Sequence, residues 1–581
     1  MATPVRPLAA VLGLIVGTFG AARPANAGDA IVHPNQREQV IDGFGASSAW
    51  TAPDMGDAGA DLTFSTDPAV GGAGLSLLRV RIAPDGTCGE IATAQEAIAR
   101  GATVWATPWS PPPEWKTGTD DAGNGGSLLP MYYGAWANRL VSAVQSLQAQ
   151  GVHLVGLSAQ NEPTTPASYE SCLYTPTELV DFVGQYLAPA LSNAGLLGVP
   201  IDTGALGAGA LDAGALDTGA LDTGAIDTGA IDAGAIDAGA LDTGAIDAGA
   251  IDAGAIDAGG ALKIIAPETQ DWTTFAQFEG AIWADDAGRN AVGILASHSY
   301  AETSPSPVPA VAQAGKSLWE TEVSDPAADP GILSGLWVAS SIHQALVSAN
   351  ANAWHYWWIY PQGPGNGALY DPAPTGSGNP VPTKRLYAMG NFSRFVRPGF
   401  FRVNATENPQ PCAPVEVSAY TDQQSANLVI VAINSGTVPF AQGFVFDGVT
   451  TGSWTSFVTS SSQNLEDGGE VSNGGLDGGP DGSRIVFMLA PQSVTTLVGH
   501  VTGVGQPAAE DGASALSIAC GDAAPAGPAP SCGLACSTAT TRASGRDPAK
   551  GSTIAAIAAM AASIGRRRVR RSRRKGSSPR R

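Results

Sequence analysis

Between residues 40 and 395 the chain alternates short, mostly apolar runs with longer amphipathic stretches. That alternation predicts repeated βα units and a parallel sheet. The runs are Val40–Ala46, Leu75–Ile82, Thr103–Thr107, Val152–Ala159, Leu262–Pro267, Val292–Tyr300, Ser317–Val323 and Ala351–Tyr360. Runs apolar on both faces suit strands covered by helices on one side and packed on the other. Eight of them favour a closed (β/α)8 TIM barrel over an open doubly wound sheet. Between the runs, Trp136, Leu140, Val144 and Leu147 recur at helical spacing within Tyr133–Gln150, and Gly151 follows as a C-terminal cap.

From about 401 to 500 the pattern becomes short β-type runs separated by Gly, Ser, Asn and Asp clusters, which predicts an antiparallel side β-sandwich. Residues 28–40 are expected to lend it a strand before the catalytic barrel at 41–400. Residues 1–27 read as a secretory signal peptide: Arg6, then an apolar stretch, then Ala25-Asn26-Ala27 as a small-x-small cleavage site. Residues 201–260 interrupt the barrel with twelve low-complexity pentads of the form Ile/Leu-Asp-Ala/Thr-Gly-Ala, with Leu206-Gly207 alone breaking the aspartate rule. A period of five fits neither helix nor strand, and the aspartate spacing differs from calcium loops, so a flexible acidic insertion is expected. It follows the helix after the fourth run, hence on the barrel face opposite the strand exits. Residues 501–550 read as an Ala/Pro/Gly linker. Residues 551–581 form a basic tail, and with the cysteines just before it the last fifty or so residues resemble three-part bacterial sorting tails, with a cysteine, an apolar run and an arginine cluster in that order. Its implication is a protein secreted, or exported and held at the membrane or cell surface.

The formal charge of −22 argues against nucleic acid as a partner. The insertion holds eleven aspartates and the last sixteen residues hold ten basic side chains, so the folded middle is only mildly acidic. Export permits disulfides, and Cys88 and Cys172, assigned to loops on one barrel face, are expected to pair; Cys412 lacks an obvious partner, and Cys520, Cys532 and Cys536 belong to the tail. The six histidines are scattered without ligand spacing, so no metal and no cofactor is expected.

Two motifs carry the chemistry. Ser158-Ala159-Gln160-Asn161-Glu162-Pro163 and Leu318-Trp319-Glu320-Thr321-Glu322-Val323 each put a glutamate at a strand's exit. Two carboxyls at strand ends of a parallel barrel are what cleavage of a glycosidic bond requires, one as acid and one as nucleophile or base. Glu320 and Glu322, two residues apart on a strand, are expected to face the same side. Glu320 would then lie one layer deeper, with an arginine partner, unless a bulge turns it outward. Gly43-Phe44-Gly45-Ala46-Ser47-Ser48 lacks the third glycine and the context of a dinucleotide loop.

Ile41-Asp42-Gly43-Phe44-Gly45-Ala46, Ala106-Thr107-Pro108-Trp109-Ser110-Pro111, the two glutamate motifs, Lys384 to Gly399, Val429 to Asn434 and Pro491 to Thr496 together resemble glycoside hydrolase family 30. The resemblance runs from about 30 to 500 and is nearest the bacterial xylanase branch. It implies a retaining endo-β-glycosidase of a xylan-type polysaccharide, expected to act as a monomer. Glu162 matches the acid/base and Glu322 the nucleophile. Arg79 matches the barrel arginine. Asn161 is placed for the sugar 2-OH, His298 and Tyr300 for orienting the nucleophile, and Trp50, Trp109, Trp357 and Trp358 for stacking, with one or two of these tryptophans expected in the core instead. Glucuronate-dependent xylanases of the family carry an arginine pair after the strand-8 tryptophans. Ile359-Tyr360-Pro361-Gln362-Gly363 has none, which implies xylan cleavage without strict need for glucuronate branches. The alternatives are β-1,6-glucan, β-1,6-galactan or a glucosylceramide-type substrate for the same chemistry, or a catalytically idle carbohydrate-binding surface protein.

Overall fold

In the computed structural model the eight apolar runs form a closed, all-parallel barrel. Its strands in order are Gly43–Ser47, Leu77–Ile82, Thr103–Pro108, Leu154–Ser158, Lys263–Thr269, Val292–His298, Ser317–Glu322 and Ala353–Trp358. The eighth closes on the first through Ala353 opposite Gly43. The structure describes residues 28–505 except 52–54, 198–260, 301–303, 326, 328, 361–366, 372–379, 410–413 and 472–481. The signal peptide, the pentad insertion, the linker, the basic tail and Cys412, Cys520, Cys532 and Cys536 therefore lie outside the described residues. The insertion's flanks meet in a bridge between Leu197 and Leu262, at the start of the fifth strand. That is the end of the barrel away from Glu162 and Glu322.

Strand alternation divides the barrel residues into two apolar sets. Leu77, Trp105, Ile265, Ile294, Ala296, Trp319 and Ala353 fill the interior. Their neighbours, such as Leu78, Val104, Ile264, Leu295 and Leu318, join the larger layer under the helices. The interior is thus a packed floor rather than a pore. Within it the Trp105 indole donates to His355 Nε2 at 3.0 Å, and His355 Nδ1 sits 2.9 Å from the Glu320 carbonyl.

The C-terminal part is a nine-stranded sheet joined by Ala30–Val40 from the N-terminal end. That strand runs antiparallel to Phe401–Ala405 and parallel to Phe440–Phe446. Within Asn427–Asn434, Val429, Val431 and Ile433 pack into the barrel-side core, while Leu428, Ile430 and Ala432 pack into the sheet's own core. A strand apolar at every position thereby welds the two units. Asn391, on the helix Lys384–Ser393, adds a polar tie by donating to Thr496 Oγ1 at 3.0 Å and to the Phe457 carbonyl at 3.1 Å.

Candidate active site

The barrel's second strand supplies the centre of the site. Arg79 faces the interior between the apolar Leu78 and Val80 and is fully buried. Its guanidinium has a partner at each nitrogen. Nη1 donates to Glu322 Oε2; Nη2 donates to Glu268 Oε1 at 2.6 Å and to Asn161 Oδ1 at 2.7 Å; Nε donates to Thr107 Oγ1 at 3.2 Å. Trp109 lies 4.5 Å from the guanidinium and Trp357 5.6 Å, so aromatic faces cover the planar cation. Burial works against the charged guanidinium, but Glu268 and Glu322 outweigh it and hold the cation more firmly than usual.

His298, at the end of the sixth strand, links three carboxyls. Nδ1 lies 3.1 Å from Glu162 Oε1; Nε2 lies 3.6 Å from Glu268 Oε1 and 3.7 Å from Glu322 Oε2. Burial would lower its pKa, yet Glu322, Glu162 and Glu268 together push it up to about 9. Tyr300 donates to Glu322 Oε1 at 3.0 Å, on the oxygen that Arg79 leaves. Burial raises the Glu322 carboxyl, with His298 and Arg79 pulling it back. Glu268 goes the other way: despite burial, Arg79 and His298 hold it below the ordinary carboxylate range.

Oxygens of Glu162 and Glu322 and a nitrogen of His298 all lie within 4.8 Å of one another. Carboxyls about 5–5.5 Å apart suit a covalent double displacement, whereas an inverting pair needs about 6.5–9.5 Å to admit water. The same three groups are the set close enough to hold a metal among the described residues.

Backbone geometry sharpens the mouth. Trp50, Glu162 and Glu268 have φ of 56°, 43° and 55°, in the left-handed region that side chains other than glycine rarely enter. Trp50 and Glu162 follow strand exits, and Glu268 is the penultimate residue of the fifth strand, so all three lie at the C-terminal end of the barrel. The Glu162 N–H donates to the Glu268 carbonyl at 3.0 Å, joining two of these positions. Strain at such positions persists only when surrounding contacts hold it.

The tryptophans separate by depth. Trp109 is 1% exposed, buried against the Arg79 guanidinium, while Trp50, Trp357 and Trp358 are half-buried. Trp50 meets Trp109 edge-on at 4.7 Å and Trp357 at 6.1 Å, and Trp357 stacks on Trp358 at 4.9 Å. Trp358 Nε1 donates to the Ala49 carbonyl, tying the eighth strand to the first loop.

Two expectations are corrected. Cys88 and Cys172 are unpaired. The Cys88 thiol donates to Glu90 Oε2 at 3.3 Å, whereas Cys172 is fully buried beside Tyr174 and Lys116, so each sulfur has its own surroundings. Glu320 does not share a side with Glu322 and, among the described residues, has no arginine partner; of the two alternatives for it, the bulge is the one the structure shows. The pairing with the sixth strand shifts register between them, so a bulge resets the alternation. Glu320 lies against Trp354 and Ser299 under the helices, while Glu322 turns into the mouth. Burial pushes the Glu320 carboxyl up to about 8.

Three participants escaped the sequence reading. Glu268 follows the fifth run at the same kind of strand exit as Glu162, a signal that was available. Tyr169, whose hydroxyl donates to Glu162 Oε2 at 3.4 Å, and Glu170, which forms a two-pronged ion pair with Arg81, sit on a loop that strand patterning does not reach.

The model of the glycosyl hydrolase family 30 TIM-barrel domain matches residues 88–198. The glucuronoxylanase XynC of Bacillus subtilis is 28% identical over 501 residues, covering 84% of this chain and 95% of that protein. Among solved structures, a family 30 subfamily 8 xylanase from Clostridium acetobutylicum is 29% identical with a TM-score of 0.60, over 81% of this chain and 99% of that one. A family 30 endoxylanase from Clostridium papyrosolvens C71 is 27% identical with a TM-score of 0.58, over 81% of this chain and all of that one. These matches support the assignment to glycoside hydrolase family 30, and the chain is an O-glycoside hydrolase of the retaining, double-displacement kind.

Proposed function

We propose that this chain is a secreted endo-β-1,4-xylanase that cleaves xylan without strict dependence on glucuronate branches. The closeness of Glu162 to Glu322, around a shared imidazole, supports the mechanism. In the first step a Glu322 oxygen attacks C1 of the sugar as the glycosidic C–O bond breaks. Glu162 gives its proton to the departing oxygen. In the second step the Glu162 carboxylate takes a proton from water, the water oxygen bonds to C1, and the bond to Glu322 breaks. Glu162 is thereby reprotonated and the configuration at C1 is kept.

Arg79 and Tyr300 hold the two oxygens of Glu322 apart, fixing the plane from which it attacks. His298 stabilises the ionised nucleophile and borders the acid. Asn161, held by Arg79, is oriented for the sugar 2-OH. Trp50, Trp357 and Trp358 offer half-buried aromatic surface for sugar rings.

The substrate reading rests on the near-full-length match to an enzyme whose name specifies glucuronoxylan. Independence from glucuronate rests on Ile359 to Gly363, where no guanidinium fork is encoded for a carboxylate. The test uses the mature chain from Gly28 on linear xylan, glucuronoxylan, β-1,6-glucan and β-1,6-galactan, beside Glu162→Gln and Glu322→Gln. Cleavage of both xylans, lost in both variants, is the expected outcome. Cleavage of glucuronoxylan alone overturns the independence from branches. Cleavage of a β-1,6-glycan alone overturns the xylan reading but keeps the mechanism.

A further inference from the structure

Glu90 ends the loop after the second strand and immediately precedes the helix Ile91–Ala99. An acidic side chain there would ordinarily accept from the first free N–H groups of its own helix. It does not: the helix has no side-chain cap. The carboxylate is 3% exposed and turned the other way. Oε1 accepts the backbone N–H of Trp50 at 3.2 Å, and Oε2 accepts the Cys88 thiol at 3.3 Å.

Trp50 is the residue in most need of such a hold. Its backbone is left-handed, with φ of 56°. It closes a tight turn in which the Thr51 N–H and hydroxyl both donate to the Ser48 carbonyl. Its half-buried ring meets Trp109, Trp357 and Tyr169 edge-on, with the Arg81 guanidinium 5.3 Å over it. A relaxed backbone at Trp50 would swing this indole out of register with Trp357 and Tyr169.

We infer that Glu90 is a positioning residue for substrate binding: its carboxylate holds the Trp50 backbone so that the indole forms one wall of the glycan cleft. The inference rests on the reading of the cleft as a polysaccharide site. Glu90 touches neither Glu162 nor Glu322, so its loss should act on binding and leave the chemical step alone.

The test compares Glu90→Ala, Glu90→Asp, Glu90→Gln and Cys88→Ala for KM and kcat on linear xylan, with thermal melting recorded for each. Glu90→Ala is expected to raise KM about tenfold, the scale of a lost hydrogen bond to a charged group, with kcat within about twofold. Glu90→Asp withdraws the acceptor by one methylene and should raise KM in the same direction, which keeps the test readable if the alanine variant does not fold. Glu90→Gln keeps an acceptor oxygen and should restore a wild-type KM, and Cys88→Ala, which spares the Trp50 contact, should match wild type. A KM unchanged in the alanine and aspartate variants overturns the inference, as does an equal loss in the glutamine variant. A wild-type enzyme inert on xylan but active on a β-1,6-glycan overturns the substrate reading alone, and the same four variants are then compared on that glycan. Inertness on every glycan overturns both.

Discussion

Replacing Glu320 by Gln should stabilise the protein, and only on the alkaline side. Glu320 is 1% exposed, its Oε1 has no hydrogen-bond partner, and burial moves its carboxyl from the ordinary 4.5 to about 8. Between those values the folded chain binds a proton that the unfolded chain has released. Stability therefore falls as pH rises from about 4.5 to about 8 and stays level above. At about 1.4 kcal/mol for each pH unit of separation, the full difference is on the order of 5 kcal/mol. Glutamine is neutral throughout, keeps the shape, and removes this slope. The difference in unfolding free energy between variant and wild type should be near zero at pH 4.5 and several kcal/mol in the variant's favour at pH 9. Urea unfolding of both proteins at pH 4.5, 6.5 and 9 measures it. His355, pushed down to about 3 by burial, and His298 titrate in both proteins and cancel to first order in the comparison. An advantage independent of pH would refute the buried, unpartnered carboxyl as its source. A variant less stable at pH 9 would show instead that the ionised group is well served by Ser299 and Trp354.

The active site makes its own predictions. His298, raised to about 9, contributes stability that is complete below its unfolded value near 6.5 and is lost as pH rises through about 9; kcat/KM should show an alkaline limb near that value. Glu268→Gln removes one of the three carboxyls that raise His298, so the limb should move to lower pH; an unmoved limb in pH–rate profiles would assign it to another group. Arg79→Met leaves Glu268 and Glu322 buried without their cation and should cost about 3–5 kcal/mol in urea unfolding. With azide and an activated aryl glycoside, Glu322→Ala should yield the α-glycosyl azide and Glu162→Ala the β-anomer, read by NMR; exchanged products would reverse the two roles.

The barrel was legible because strands covered on both faces are written as mostly apolar runs, and all eight runs became its strands. The N-terminal strand of the side sheet, Ala30–Val40, buries alternate residues at its start and is mostly exposed beyond Pro34, so only Ala30-Ile31-Val32-His33 carried a strand signal. Orientation at the seventh strand was not legible. A bulge between Glu320 and Glu322 changes which side each residue faces, and Trp-Glu-Thr-Glu carries no glycine or proline to announce it. The unpaired cysteines were misread because a shared barrel face does not fix where two loop sulfurs point. Glu268 was within reach of the rule that identified Glu162, an acidic residue at a strand's exit. Glu90 was not, since a residue just before a helix reads as its cap.

Counting charge explains why a third carboxyl belongs in this centre. Glu162, Glu268 and Glu322 face two cations, Arg79 and protonated His298. Ionising all three would leave one negative charge that the two cations do not match in a largely buried centre, which is costly. Glu268 does not relieve that excess by taking up a proton, since Arg79 and His298 hold it below the ordinary carboxylate range. Burial raises the Glu322 carboxyl instead, and the neighbouring Glu162 charge adds to that rise. Glu268 is thus a fixed anion that, with Glu322 and Glu162, favours the charged imidazole, and the negative excess it creates opposes full ionisation of the centre, the condition under which a carboxyl can serve as an acid.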